Sequence, residues 1–149
     1  FRHAPAWAWL PALIPTLLTL LVLVAALSIA LSAANVYLRD TQHLLELVLL
    51  AWFWMTPIVY YYGGVAKRLG TASGLLLLNP MTSIIIMFQR TIYNRTVVNI
   101  DGTPTAVLPS ESIWWYLRNV SIVLAVSLLL LWGAFVLFAR LEDNFAEEM

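Results

Sequence analysis

Few side chains in this chain are equipped for chemistry, and their spacing argues against a catalytic centre. The two histidines, His3 and His43, are separated by a whole apolar stretch, so no His-based metal site forms within one copy. There is no cysteine, hence no thiol nucleophile, thiolate ligand or disulfide. The single lysine, Lys67, is followed by Arg68-Leu69 rather than by the Ser or Thr of a phosphate-binding loop, so ATP is not bound by that route. No serine stands in a hydrolase elbow with a histidine partner. Asp40 and Glu46 are the one carboxylate pair that remotely suits acid–base work. Two features remain. Glu46 lies about one and a half turns past Asp40 within an otherwise apolar run, where an uncompensated charge costs roughly 2.5–3.5 kcal/mol at mid-membrane and less near the interface. Asn79-Pro80 interrupts a second apolar run. Asn caps the helix that follows and Pro fits its first position, which builds a helix start, with its partial positive end, inside apolar sequence.

The surrounding composition decides what must position these groups. Of 149 residues, 62% are hydrophobic and 11% charged, with a mean hydropathy of +0.84. A soluble domain carries about a quarter of its residues as charged groups. The deficit excludes a disordered tail, a nucleic-acid-binding module and most soluble enzymes. Eight basic and eight acidic residues give zero net charge and no field for a polyanionic partner. The expected fold class is all-α: a polytopic membrane helix bundle of three spans plus a broken re-entrant helix pair. The chain opens at Phe1 with no signal-peptide pattern, which reads as a fragment of a larger membrane protein.

No charge falls between Ala4 and Leu38, far more than the ~20 residues that cross a bilayer. The first span is placed at Leu13–Asn35, with Pro11 and Pro15 where missing amide donors cost least. Its small residues, among them Ala26, Ser28, Ser32 and Ala33, gather at the far end, which should pack against another helix. The second span runs Leu44–Tyr61, with a kink or early unwinding at Pro57 and an end at Gly63-Gly64. The stretch Leu69–Gln89 is divided at Asn79-Pro80 into halves too short to cross, so Leu75–Leu78 and Met81–Ile92 read as two short helices that dip in and return. Tyr93–Ser112 reads as a polar loop of turns around Asp101-Gly102, Pro104 and Pro109. Trp114, Trp115 and Tyr116 anchor the last span, Asn119–Ala139, at the interface, and the acidic tail from Leu141 faces water.

With the pair re-entrant, Arg39 and Arg140 share one side, opposite Arg2, Lys67, Arg68, Arg90, Arg95 and Arg118. The positive-inside rule alone would then put the long loop in the cytoplasm. Were the pair to cross, the count would tie.

Three pieces in order, Asn35-Val-Tyr-Leu-Arg39-Asp40, then Trp54-Met-Thr-Pro57-Ile-Val-Tyr60, then Leu78-Asn79-Pro80-Met-Thr82, resemble the carboxy-terminal half of ABC type-2 exporter permeases. The branch they resemble is the polysaccharide-export one, which moves lipid-linked O-antigen, teichoic acid or galactan chains. The ending Phe138-Ala-Arg140-Leu-Glu142-Asp-Asn-Phe145-Ala-Glu-Glu resembles that branch's tail. The resemblance covers nearly all 149 residues. It implies one transmembrane permease domain of which residues 1–149 are the carboxy-terminal half, and no enzyme activity in the chain itself. ATP and Mg belong to a separate ATP-binding cassette subunit, so this chain has no cofactor. The implied partners are that subunit, a second permease copy, the lipid-linked polysaccharide and membrane lipids, and no nucleic acid. The implied location is the bacterial inner membrane, multi-pass, with a cytoplasmic carboxy terminus, against the charge count.

On this reading Asn35, Tyr37, Arg39 and Asp40 face the ATPase. Glu46, Trp52, Phe53 and Tyr60 border the translocation path, because aromatic faces stack on the apolar faces of sugars; Phe53 shares the Glu46 face of its helix and Tyr60 lies beyond it. Asn79 and Pro80 form an outer gate hinge, and Arg90 on the same helix is suited to a pyrophosphate or an anionic sugar. The alternatives are export of a drug or lipid-like compound and, from another class, a membrane enzyme acting on lipid-linked sugars.

Overall fold

The structure is a computed structural model that describes residues 7–37, 41–94, 96–100 and 103–145, with backbone only at 34, 36, 37, 41, 42, 100 and 140–145. A 3₁₀ turn, Trp7–Ala12, leads into α1, Leu13–Tyr37; α2 is Thr41–Met55 and α3 is Tyr62–Leu69. A 3₁₀ segment, Gly70–Leu78, precedes α4, Pro80–Tyr93. Strands β1, Val97–Ile100, and β2, Thr103–Ala106, come before the long helix α5, Ile113–Phe145.

The frame is the seam between α1 and α5. Buried positions on the first side are Ala12, Thr16, Thr19, Leu23, Ala26 and Ala33, and on the second Tyr116, Val120, Val123, Ser127 and Ala134. Both sets step by threes, fours and a final seven, the spacing that keeps one helix face against a partner under a shallow crossing angle. Small side chains at Ala26, Ala33, Ser127 and Ala134 allow the close approach that drives helix association in lipid. The buried hydroxyls are satisfied inside their own helices: Thr16 donates to the Ala12 carbonyl at 2.6 Å, Thr19 to Pro15 at 2.8 Å and Ser127 to Val123 at 2.7 Å.

Ring contacts set the directions. Trp9 meets Tyr116 edge to face at 5.3 Å, and Leu23 clusters with Val123 further along. The helices α1 and α5 therefore run parallel. Arg90, near the end of α4, lies 4.7 Å from the centre of the Trp9 ring, while Met81, near its start, packs on the Leu23 cluster. Thus α4 runs antiparallel to both and fills the groove beside their seam.

Several expectations need correction. The helix of the second apolar run stops at Met55, not at Tyr61, and Thr56–Tyr61 is irregular, because Pro57 supplies no amide donor and excludes the helical carbonyl geometry. Gly63 and Gly64 do not end that helix; they lie in the first turn of α3. There Gly63 is needed for close approach: its N–H donates to the Val107 carbonyl at 3.1 Å, and a Cβ would overlap the Ala106 carbonyl oxygen. The limb before the bend is longer than expected: α3 closes at its C-cap Gly70, whose φ of +54° suits glycine, and a 3₁₀ segment continues from there to Leu78. The last helix extends past the expected bounds at both ends, so the tail is helical to Phe145.

The loop expected to be turns contains an antiparallel hairpin pairing Val97 with Ala106 through Ile100 with Thr103. Residues 101 and 102, between the two strands, lie outside the described residues. The all-α expectation is thus corrected to a mostly helical chain with one small hairpin. Two segments, Trp7–Ala33 and Ile113–Ala139, are long and apolar enough to cross a membrane. His43–Met55 is apolar but shorter, and the pair Tyr62–Leu78 and Pro80–Tyr93 is bent by 104° at its break.

Replacing Gly63 by Ala should destabilise the protein in detergent by about 1–3 kcal/mol through forced displacement of the hairpin. Gly74→Ala, where a Cβ meets open space, should stay within about 0.5 kcal/mol. Thermal unfolding of both variants checks the contrast.

Candidate functional site at the Asn79–Pro80 bend

A break in helical backbone leaves carbonyls and amides without partners, and at membrane depth water is not there to satisfy them. Two breaks at prolines among the described residues, at Met55–Pro57 and at Leu78–Pro80, are set side by side by the fold. Asn79 has an extended backbone (φ −74°, ψ 113°) and stands at the N-cap of α4, with Pro80 following in the first turn. Its side-chain oxygen accepts from the Met81 amide at 3.1 Å and from the Trp52 indole N–H at 2.8 Å. Its side-chain nitrogen donates to Thr56 Oγ1 at 3.0 Å and reaches the Met55 carbonyl at 3.4 Å.

The remaining loose ends of α2 are tied by neighbours. Thr56 Oγ1 donates to the Trp52 carbonyl at 2.8 Å, and the Tyr60 hydroxyl donates to the Met55 carbonyl at 2.9 Å. Gln89, from α4, donates to the Pro57 carbonyl at 3.2 Å. One amide side chain thus serves as helix cap and as clamp between two broken segments that are 23 to 27 residues apart. Thr56 and Pro57 are buried.

Trp52 also divides two grooves. One, of about 760 Å³, runs between α1 and α2 and includes Leu27, Ser28, Ser32, Asn35, Val48 and Trp52. The other, of about 540 Å³, lies between α2 and the 3₁₀ segment and includes Val48, Trp52, Met55, Leu75, Leu78 and Asn79. The Asn79 hydrogen bond fixes the indole between them.

The candidate residues from sequence fall in three places. Trp52, Tyr60, Asn79 and Pro80 come together at the bend, joining side chains expected to border a path with those expected to form a gate. Glu46 and Phe53 sit on the exposed side of α2, away from this cluster, with Phe53 meeting Trp54 edge to face at 5.8 Å. Arg90 lies roughly 16 Å along α4 from the bend at 1.5 Å per residue. It stacks on Trp9 and donates to Asn94 Oδ1 at 3.1 Å, where Asn94 closes the helix in the left-handed conformation (φ 50°). Asn35 lines the α1–α2 groove. Arg39 and Asp40, and the side chain of Tyr37, lie outside the described residues.

Thr56 and Gln89 are the site residues that sequence reasoning passed over. Each is a polar side chain in apolar surroundings within reach of a proline break, which is the signal that identifies them. Among the described residues no cluster of three or more metal-ligating side chains occurs, and the bend has no nucleophile beside a base. What the arrangement does is hold a bend and couple it to α2.

Fold and site together describe a mostly helical membrane protein, with two helices long enough to cross and a bent pair clamped to a proline-broken third element. No protein-family model and no solved structure matches the chain. Over 124 residues, 83% of this chain, it is 32% identical to the O-antigen export system permease protein RfbA of Myxococcus xanthus, of which it spans 41%. The similarity agrees with the resemblance to ABC type-2 polysaccharide-export permeases drawn from the sequence, along less than half of that relative's length.

Removing the clamp should be expensive. Asn79→Ala deletes a cap, worth about 1 kcal/mol, and strands the Trp52 N–H, worth about 1–3 kcal/mol. Trp52→Phe removes the N–H itself and leaves Asn79 Oδ1 bonded to the Met81 amide, so it should cost the net hydrogen bond, about 0.5–1.5 kcal/mol, plus the lost ring volume. A double-mutant cycle on unfolding in detergent should give a coupling of about 0.5–3 kcal/mol; strict additivity would disprove the clamp.

Proposed function

We propose that this chain is the carboxy-terminal half of the transmembrane subunit of an ATP-driven exporter that moves a lipid-linked polysaccharide across the bacterial inner membrane. The energy comes from a separate ATP-binding cassette subunit, which holds ATP and Mg, and the permease works as a homodimer. The observation that carries the reading is the similarity to an O-antigen export permease along 83% of the chain. The bend adds to it, since Thr56-Pro57 and Asn79-Pro80 belong to two pieces of the resemblance and meet in one hydrogen-bonded cluster.

Helix directions support the topology. Because α1 and α5 are parallel, the chain between them crosses an odd number of times. Residues 41–61 account for one crossing, and the pair Tyr62–Leu78 and Pro80–Tyr93 then enters and leaves by one face. Tyr62 and Met87, from its two limbs, share a core with Tyr116 at the start of α5. The end of α1 and the end of α5 lie on the opposite face, the cytoplasmic one on this reading. There the Arg39-Asp40 loop meets the ATPase beside a cytoplasmic carboxy terminus. The Asn79-Pro80 bend is the hinge of an outer gate, and Glu46 and Phe53, on the open side of α2, border the path against the second copy. Arg90 stands at the outer end of α4, toward the pyrophosphate or anionic groups of the cargo.

The test uses the full-length permease with its ATPase in proteoliposomes. Arg39→Ala with Asp40→Ala should abolish glycan export while ATP hydrolysis persists uncoupled. Asn79→Ala with Pro80→Ala should reduce the export rate at least tenfold, a rise of about 1.4 kcal/mol in the transport barrier. ATPase stimulation by small amphiphiles in place of glycolipid would favour a drug or lipid-like cargo, and wild-type export by both double variants would overturn the assignment of these residues.

A further inference from the structure

We infer that the groove between α1 and α2 is the seat of a transmembrane helix from the part of the permease outside this chain; this rests on the reading of the chain as one half of that permease. The groove is about 760 Å³ and mostly apolar, yet one wall carries Ser28, Ser32 and Asn35 at i, i+4 and i+7 along α1. Hydroxyls on the α1–α5 seam donate back to their own helix. Ser28, Ser32 and Asn35 make no side-chain hydrogen bond among the described residues, and all three are exposed. Helix α2 offers Leu45, Val48, Leu49 and Trp52 as the other wall, and Trp52 is locked in place by Asn79 at 2.8 Å.

Four occupants are physically conceivable, and three fit poorly. Lipid tails would leave three polar side chains facing hydrocarbon unpaired. A glycan would meet a surface that is apolar at Val24, Leu27, Leu31, Leu45, Val48 and Leu49. A second copy related by a two-fold axis would have to exchange a helix reciprocally to fill both grooves, a rearrangement that the part of the permease outside this chain does not need. A helix meets every condition. Ser28-x-x-x-Ser32 is the small-xxx-small spacing that admits a neighbouring backbone, and unpaired hydroxyls and an amide are the groups that bond across helices in lipid. The chain spans only 41% of the length of its O-antigen permease relative, so more than half of that relative lies outside the span. The seated helix presents a small residue opposite Ser28 and Ser32, with a polar group near Asn35.

Nitroxide labels on Ser28→Cys, Ser32→Cys and, as a second groove position, Leu31→Cys test this in the full-length permease reconstituted with its ATPase. Leu18→Cys on the same helix, 51% exposed and outside the groove, is the reference. Collision with dissolved oxygen reports lipid contact, and collision with a water-soluble nickel chelate reports water. The seated helix requires both accessibilities at positions 28, 31 and 32 to fall several-fold below the Leu18 value for oxygen and below a loop label for nickel. Oxygen accessibility equal to that at Leu18 would put lipid in the groove, and high nickel accessibility would make it a watery conduit. A disulfide-linked dimer through Ser32→Cys would put the second copy there. Each of these three results overturns the inference. Labelled variants are scored only where glycan export persists, so an open groove in an exporting permease defeats this inference alone. Absence of export by the unmodified permease defeats the underlying reading.

Discussion

Every peptide group that leaves a helix at membrane depth must find a partner within the protein, and the rest of this structure depends on how that demand is met. The chain breaks helical backbone twice in apolar surroundings. One side chain, Asn79, answers both breaks: its oxygen caps α4 and holds the Trp52 indole, while its nitrogen reaches Thr56 and the Met55 carbonyl. Gln89 adds a second tie to Pro57. An aliphatic side chain at position 79 would leave one helix uncapped and one indole N–H stranded. The bend is therefore a property of two segments acting together.

The second organising element is the parallel pairing of α1 and α5. Parallel helices next to each other in space but far apart in sequence constrain everything threaded between them. The intervening chain has to cross and come back to the end where it started, so α4 lies antiparallel in the remaining groove. The hairpin and α3 close over that end, with Gly63 giving the Val107 strand exit room to approach. In lipid, where apolar burial offers no gain between helices, the small residues of the seam and the internally satisfied hydroxyls supply the close contact instead.

Much of this was legible beforehand. The capping chemistry of Asn79-Pro80, the break at Pro57 and the two long apolar helices all follow from local rules acting over a few residues. What local rules missed involves distant partners. Gly63-Gly64 reads locally as a terminator, yet Gly63 is inside a helix because a strand exit more than forty residues away needs its missing Cβ. Thr56 and Gln89 look like incidental polar residues until the breaks they serve are brought beside them. Trp52 and Asn79 looked like members of two separate sites, and a single 2.8 Å hydrogen bond makes them one.

By itself the sequence determined that this is a membrane protein, that its helical backbone breaks at Pro57 and Asn79-Pro80, and which family it resembles, because hydropathy, capping and proline geometry are encoded within single segments. Tertiary structure alone decided that the two breaks coincide, that α1 and α5 run parallel, that Arg90 rests on Trp9 rather than at the bend, and that the loop before α5 pairs into a hairpin. Those outcomes depend on groups tens of residues apart satisfying one another's backbone and side-chain polarity in a medium without water, and no local pattern records which partner will be found.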